Sequence, residues 1–128
     1  MDGFESEYKL GIRYLHGIKV LIDLEKALFY IENSANNGFI PAQVSLAFMY
    51  LDGVGISKNK QKAYILFKVT ADEDYHNTAL MMTGLMLEYG EGVRENIKKS
   101  LKYYKLAAKQ GNIYAQNKLM CLGEISET

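Results

Sequence analysis

Apolar residues along this chain recur at intervals of three and four, and no segment alternates at the interval of two that a half-buried strand needs. Ile97, Leu101, Tyr104 and Ala108 form one such stripe. Leu28, Ile31 and Ala35 repeat it earlier, and Tyr64, Phe67 and Ala71 repeat it between the two. The pattern predicts helices over about 5–16, 24–36, 41–51, 60–72, 77–89 and 97–109, with a last one over about 113–122. Pro41 is the only proline, so almost nothing interrupts these helices.

The stripes belong to a longer period. Tyr14 with Gly17 recurs as Tyr50 with Gly53 and as Leu87 with Gly90, a step of 36 residues and then 37. Lys26-Ala27 recurs as Lys62-Ala63 and Lys99-Ser100, and Ala35 as Ala71 and Ala108. Asp23, Asn59 and Asn96 share one position, where their side-chain oxygens suit the free amides of a starting helix. Gly17, Gly53 and Gly90 stand where the preceding helix ends, and Gly38 and Gly111 end the second helix of their repeats. A single helix pair cannot bury its stripe, so neighbouring pairs must stack. The expected fold is all-α: a right-handed α/α solenoid of three helix-pair repeats plus a C-terminal capping helix. It forms one domain over 1–128, with repeats at about 5–38, 39–75 and 76–111 and the cap at about 112–122.

These residues resemble the Sel-one-like repeat (SLR). The second repeat supplies Ala42, Gln43, Leu46, Tyr50, Gly53, Gly55, Lys62 and Ala63. The third supplies Ala79, Gly84, Gly90, Gly92, Val93, Lys99, Tyr103, Tyr104, Ala107, Ala108, Gly111 and Asn112. The first is weaker, with Leu10, Gly11, Tyr14, Gly17, Lys26, Ala27 and Ala35, and Ala115-Gln116 begins a fourth unit. The tetratricopeptide repeat is the nearest competitor, but its period is about 34 and it lacks the longer Gly-x-Gly turn. Two departures predict local change. Lys19 replaces the second turn glycine of the first repeat, so that turn should differ. Asp74 replaces the glycine of the middle junction, where Glu73-Asp74-Tyr75-His76 should alter the stacking. The resemblance implies a non-enzymatic scaffold. Members of the family serve signalling or protein quality control, and some bacterial ones look like immunity proteins that block a toxin.

Composition removes several functions. Fifteen basic and fifteen acidic side chains cancel, which argues against a nucleic-acid binder. A lone cysteine, Cys121, precludes an intrachain disulfide. The start, Met1-Asp2-Gly3-Phe4-Glu5, shows neither the basic nor the apolar region of a secretory leader. No apolar run spans a bilayer. A cytoplasmic protein with no membrane partner is expected, monomeric or weakly dimeric, and the stretch 123–128 is expected to fray.

No catalytic, cofactor or metal site emerges. Gly53-Val54-Gly55 and Gly90-Glu91-Gly92 follow no strand and lack the residues of a phosphate loop. His16 and His76 lie in different repeats with no ligand at zinc spacing. Cys121 reads as buried packing, and Asp72-Glu73-Asp74 as a solvated loop.

Protein binding therefore needs a surface. The resemblance implies a concave groove lined by the first helix of each pair. Columns apolar in every repeat, Tyr8/Val44/Met81 and Ile12/Phe48/Leu85, read as core. The column that changes character reads Lys9, Arg13, His16, then Ser45, Met49, Asp52, then Met82, Met86, Tyr89, and is the groove candidate. The competing reading makes Met82 and Met86 core. Lys98, Lys102, Lys105 and Lys109 share one face of the third repeat's second helix: a solvated face, or a docking patch for an acidic partner. The expected function is a non-catalytic protein-binding module. Its most concrete form is a small bacterial immunity protein that blocks a cytoplasm-acting toxin, with a scaffold or adaptor in signalling or complex assembly as the alternative.

Overall fold

The computed structural model describes residues 3–123, and every element among them is an α-helix. In order these are α1 (Gly3–His16), α2 (Leu24–Asn36), α3 (Ile40–Asp52), α4 (Lys60–Asp74), α5 (Asn77–Tyr89), α6 (Ile97–Lys109) and α7 (Ile113–Cys121). The periodicity located all seven to within about two residues. The fraying expected at 123–128 falls, beyond Gly123, outside the described residues. The helices gather into two compact units, one ending at Leu66 and the other beginning at Phe67. In the first, α2 packs on both α1 and α3; in the second, α6 packs on both α5 and α7.

Each helix pair is closed by the same two bonds. The side chains of Asp23, Asn59 and Asn96 accept from the amides of Lys26, Lys62 and Lys99 at 3.1, 3.0 and 2.9 Å. The backbone amides of the same three residues donate to the carbonyls of Tyr14, Tyr50 and Leu87 at 3.0, 2.8 and 2.8 Å. One residue thus starts the second helix and ties it to the end of the first. Asn112 caps α7 in the same way, through the amide of Ala115 at 2.9 Å. The ammonium groups of Lys26 and Lys62 then lie over the rings of Tyr14 and Tyr50.

The first turn does not differ as expected from Lys19. Its φ is +64°, beside +73° for Gly55 and +72° for Gly92. The lysine holds the left-handed backbone that glycine holds elsewhere. A Cβ on Gly55 would stand 3.2 Å from the carbonyl oxygen of Leu24 in the preceding repeat. Lys19 carries a Cβ at the same positive φ and so bears the backbone strain that glycine avoids. Lys19→Gly is expected to raise stability by about 0.5–1 kcal/mol, read from urea unfolding.

The middle junction also resolves differently. Asp72, Glu73 and Asp74 form the last turn of α4 rather than a loop, and the left-handed residue there is Tyr75, with φ +54°. Gln110 donates to the Tyr75 carbonyl at 2.7 Å and accepts from Asn77 at 3.1 Å, which braces the strained residue from α6's end.

Small residues let the pairs close. Gly11 on α1 faces Ile31 on α2, and Gly84 on α5 faces the ring of Tyr104 on α6. Ile31, Phe67 and Tyr104, one repeat position, are all fully buried. Ile97, expected in that stripe, is exposed at the first turn of α6.

Candidate protein-binding site

Between α1 and α3 lies an open cavity of about 570 Å³. Tyr8, Ile12 and Leu15 line it from α1; Ser45, Phe48, Met49 and Asp52 line it from α3, with His16, Leu24 and Val54 at its edges. The Tyr8 hydroxyl and Ser45 Oγ are hydrogen-bonded at 3.2 Å across the floor. The second unit repeats the construction between α5 and α7. There Met81 and Leu85 face Tyr114, Asn117, Lys118 and Cys121 around a cavity of about 420 Å³. Met81 and Leu85 occupy the repeat positions of Tyr8 and Ile12, and Lys118 and Cys121 those of Ser45 and Phe48.

Of the two columns read as core, Tyr8, Ile12 and Phe48 line the first cavity and Met81 and Leu85 the second. Tyr8, Val44 and Met81, like Ile12, Phe48 and Leu85, are all half-buried. Side chains of these columns face an open cavity between α1 and α3 and another between α5 and α7, so they are apolar without being fully covered. Of the column proposed for the groove, His16, Ser45, Met49 and Asp52 do line the first cavity. Met49 does so only from below: it is 3% exposed and packs with Ile31 and Leu46. Met86, at the same repeat position, is 2% exposed. Both are core, because each sits one turn before the glycine that bends the chain back toward the second helix. Met82 is half-buried and lies outside the second cavity's lining. Lys9 and Arg13 are exposed and lie outside the first; Lys9 pairs with Glu5 at 3.4 Å. Cys121, expected to be buried, is exposed, since Phe48's position belongs to the groove wall. Lys98, Lys102, Lys105 and Lys109 are all exposed on one face of α6.

One feature escaped the sequence reading. Glu88 stands where the other repeats have Leu15 and Leu51, and a polar network forms around it. The Tyr104 hydroxyl donates to its carboxylate at 2.6 Å, and Lys118 Nζ pairs with it at 3.2 Å. The same ammonium donates to the Tyr89 hydroxyl at 2.6 Å and lies 4.8 Å from the centre of that ring. Tyr89 is thereby committed to holding Lys118 at the edge of the second groove. Burial works to raise the Glu88 pKa, but the hydrogen bonds from Tyr104 and Lys118 and the Lys118 charge outweigh it and hold the carboxyl below its ordinary range. Asp72 is likewise held low: burial opposes, and the hydrogen bonds from Lys68 and Tyr103 prevail. Tyr104 is pushed far up, first by burial and then by its bond to Glu88. Lys118 is raised, first by its bond to Tyr89.

These shifts fix the pH dependence of stability. The depressed carboxyls stabilise the fold above their unfolded pKa, and that stabilisation is lost as pH falls through their folded values. The raised Tyr104 and Lys118 stabilise it below their unfolded values, and that contribution is lost as pH rises through the folded ones. A plateau near neutrality with a decline on both sides is expected from urea unfolding at graded pH. Lys118→Met should lower the plateau by about 1 kcal/mol and flatten the alkaline decline.

The described residues hold no cluster of three or more metal-ligating side chains, and no helix long and apolar enough to cross a membrane. The Sel1 repeat profile matches residues 4–39, 40–75 and 78–112. The chain belongs to the Sel1 repeat family. Two solved structures are similar over most of it. A protective antigen of uropathogenic Escherichia coli with an SLR fold matches with a TM-score of 0.86 and 29% identity, covering 91% of this chain and 25% of that one. A Sel1 repeat protein from Oxalobacter formigenes matches with a TM-score of 0.83 and 31% identity, covering 88% and 46%. Among curated relatives, the ERAD-associated E3 ubiquitin-protein ligase component HRD3 of Candida glabrata is 28% identical over 78 residues, 57% of this chain and 9% of that protein. The chain spans less than a third of the curated relatives it matches. The fold class is thus the helical solenoid of Sel1 repeats, and Sel1 repeats are in general non-catalytic modules that bind other proteins.

Proposed function

We propose that this Sel1 repeat chain is a non-catalytic, cytoplasmic protein-binding module that holds its partner in the grooves between α1 and α3 and between α5 and α7. The observation that carries this is the recurrence, in both units, of a half-buried apolar wall at the same repeat positions with polar groups at its rim. Half-buried aromatic and aliphatic side chains framed by polar groups are the usual make-up of a binding surface. The walls differ in detail: Phe48 with Asp52 in the first unit, Cys121 with Lys118 in the second. That difference suits recognition of one particular partner rather than of peptides in general.

The most concrete form of the proposal is immunity: the chain, monomeric or weakly dimeric, covers the working surface of a toxin that acts in the cytoplasm. The alternative is an adaptor, and the similarity to a component of a ubiquitin ligase supports it. Photo-crosslinking from position 48 in the native organism, followed by mass spectrometry, tests the binding surface. A single dominant adduct, lost in Asp52→Lys, is expected. Adducts that are the same from position 48 and from Lys58, outside the groove, would remove the assignment. Survival of cells expressing the captured protein, only when this chain is co-expressed, distinguishes immunity from adaptor function.

A further inference from the structure

The turn between α1 and α2 presents two large apolar side chains to solvent: Leu21 is 90% exposed and Ile22 63%. The same two positions hold Ser57 and Lys58 in the second repeat and Arg94 and Glu95 in the third. All four of those are exposed too, although a full repeat precedes Ser57 and Lys58 in the same unit. These positions therefore face solvent wherever they occur, whatever stands before them.

The fold does not call for apolar character at either place. A Cβ on Gly17 would meet Ile22 Cγ1, just as one on Gly53 would meet Lys58 Cβ and one on Gly90 would meet Glu95 Cβ. That place needs the stem of a side chain over the turn glycine, and a charged residue supplies it in two repeats. Leu21 is almost wholly in solvent, so it adds little packing to its unit. The backbone nevertheless holds both residues in place. The Ile18 amide donates to the Arg13 carbonyl at 2.9 Å and the Asp23 amide to the Tyr14 carbonyl at 3.0 Å, which ties both ends of the turn to α1. Leu21 and Ile22 thus stand on a preformed tip, with little ordering left to oppose a contact.

Charge says what the tip faces. The second turn lies beside the first, since a Cβ on Gly55 would stand 3.2 Å from the Leu24 carbonyl oxygen. Residues 17–22 and 53–58 contain Lys19 and Lys58 and no acid. The helix ends that meet at these turns add Arg13, His16, Lys26 and Lys62, against Asp23, Glu25 and Asp52. Of these acids, Asp23 is occupied in capping α2. The other acids of α1 and α2 lie away from the turn, Glu5 and Glu7 at the start of α1 and Glu32 in the second half of α2. This helix pair is polarised along its length, apolar and basic at the turn and acidic away from it.

A protein partner would need a pocket shaped to a protruding leucine; an anionic bilayer needs none. There, apolar side chains reach the boundary between headgroups and acyl chains while flanking lysines stay among the headgroups. Among the described residues no helix is long and apolar enough to cross a membrane, and a contact of this kind requires none. We infer that the α1–α2 turn docks this chain on an anionic lipid surface, with Leu21 and Ile22 inserted and Lys19 and Lys58 at the headgroups. The inference does not rest on either groove.

The test floats the full chain with vesicles of phosphatidylcholine and phosphatidylserine, roughly two to one, and with vesicles of phosphatidylcholine alone. Binding to the first, and at least about tenfold weaker binding to the second, is expected. Leu21→Ser/Ile22→Lys installs the second repeat's own residues, so it should keep the melting temperature. It adds a positive charge, yet it should bind the anionic vesicles about tenfold more weakly, because both inserted side chains are gone. Lys19→Glu/Lys58→Glu should weaken binding by at least about tenfold, and added salt should weaken that of the unaltered chain. The chain has no tryptophan, so Leu21→Trp supplies a single reporter. Its emission should shift to the blue on anionic vesicles and be quenched by brominated acyl chains. No binding to either vesicle, undiminished binding of Leu21→Ser/Ile22→Lys, or unshifted emission would overturn the inference. So would self-association of the chain, or its capture of a protein, that Leu21→Ser/Ile22→Lys abolishes, because a second copy or a protein partner would then be the occupant.

Discussion

Gly84→Val is expected to cost about 3 kcal/mol of stability, enough to unfold much of the second unit at moderate temperature. The Cβ alone would stand 2.5 and 2.7 Å from two carbons of the Tyr104 ring. That ring is fully buried and cannot swing out, and valine adds two methyl groups behind the first clash. The ring can yield only by moving with α6, which also breaks its 2.6 Å bond to Glu88. A second measurement separates this cause from generic destabilisation. Tyr104→Phe should cost about 1 kcal/mol in the native background, because Glu88 loses a donor. In Gly84→Val the same substitution should cost almost nothing, since the bond is already gone. Equal costs in the two backgrounds would mean that the ring had not moved.

Much of this architecture is legible in the sequence because the repeat writes each feature three times. Asp23, Asn59 and Asn96 identify the helix starts unaided, and all three form the expected cap. The groove was harder to read for a physical reason. A position that is apolar in every repeat reads as core, yet Tyr8, Ile12, Phe48 and Leu85 are only half-buried, because each lines an open cavity between two helices of its own unit. Periodicity reports which face is apolar, not how much of that face a neighbour covers. The variable column misled for the complementary reason. Arg13, Met49 and Met86 share a position, but only the methionines are buried, and Arg13 is exposed. The network of Glu88, Tyr104 and Lys118 occurs in one repeat only, so no period could announce it. Its one trace was a carboxylate in a column that otherwise reads Leu15, Leu51. Lys19 shows the limit from the other side: a substitution that breaks the pattern leaves the backbone unchanged, the lysine holding a φ of +64° where Gly55 and Gly92 hold +73° and +72°.

Ile31→Ala should have the largest effect in the first unit, a loss of about 4 kcal/mol in urea unfolding. Ile31 is fully buried and stands at the centre of the cluster that includes Ala35, Leu46 and Met49, with Tyr8, Ile12 and Leu66 packed around it. Removing three carbons there leaves a hole that rigid helices on either side cannot close. Because stability in repeat proteins is largely local, amide-exchange protection should fall most in α1–α3 and less in α5–α7. The neighbouring glycine supplies the decisive control. A Cβ on Gly11 would lie 2.7 Å from Ile31 Cγ1, so Gly11→Ala alone should be destabilising. With alanine at position 31 that carbon is gone, and the nearest remaining atoms, the Ala27 carbonyl oxygen and the position-31 amide, stand at 3.2 Å. Gly11→Ala in the Ile31→Ala background should then recover about 1 kcal/mol, from partial filling of the hole and from the helix preference of alanine over glycine. The same substitution changing sign with its neighbour would establish that the helix pairs are held at their spacing by one small residue set against one large one. If Gly11→Ala destabilises both backgrounds alike, the closeness of α1 to α2 is set elsewhere.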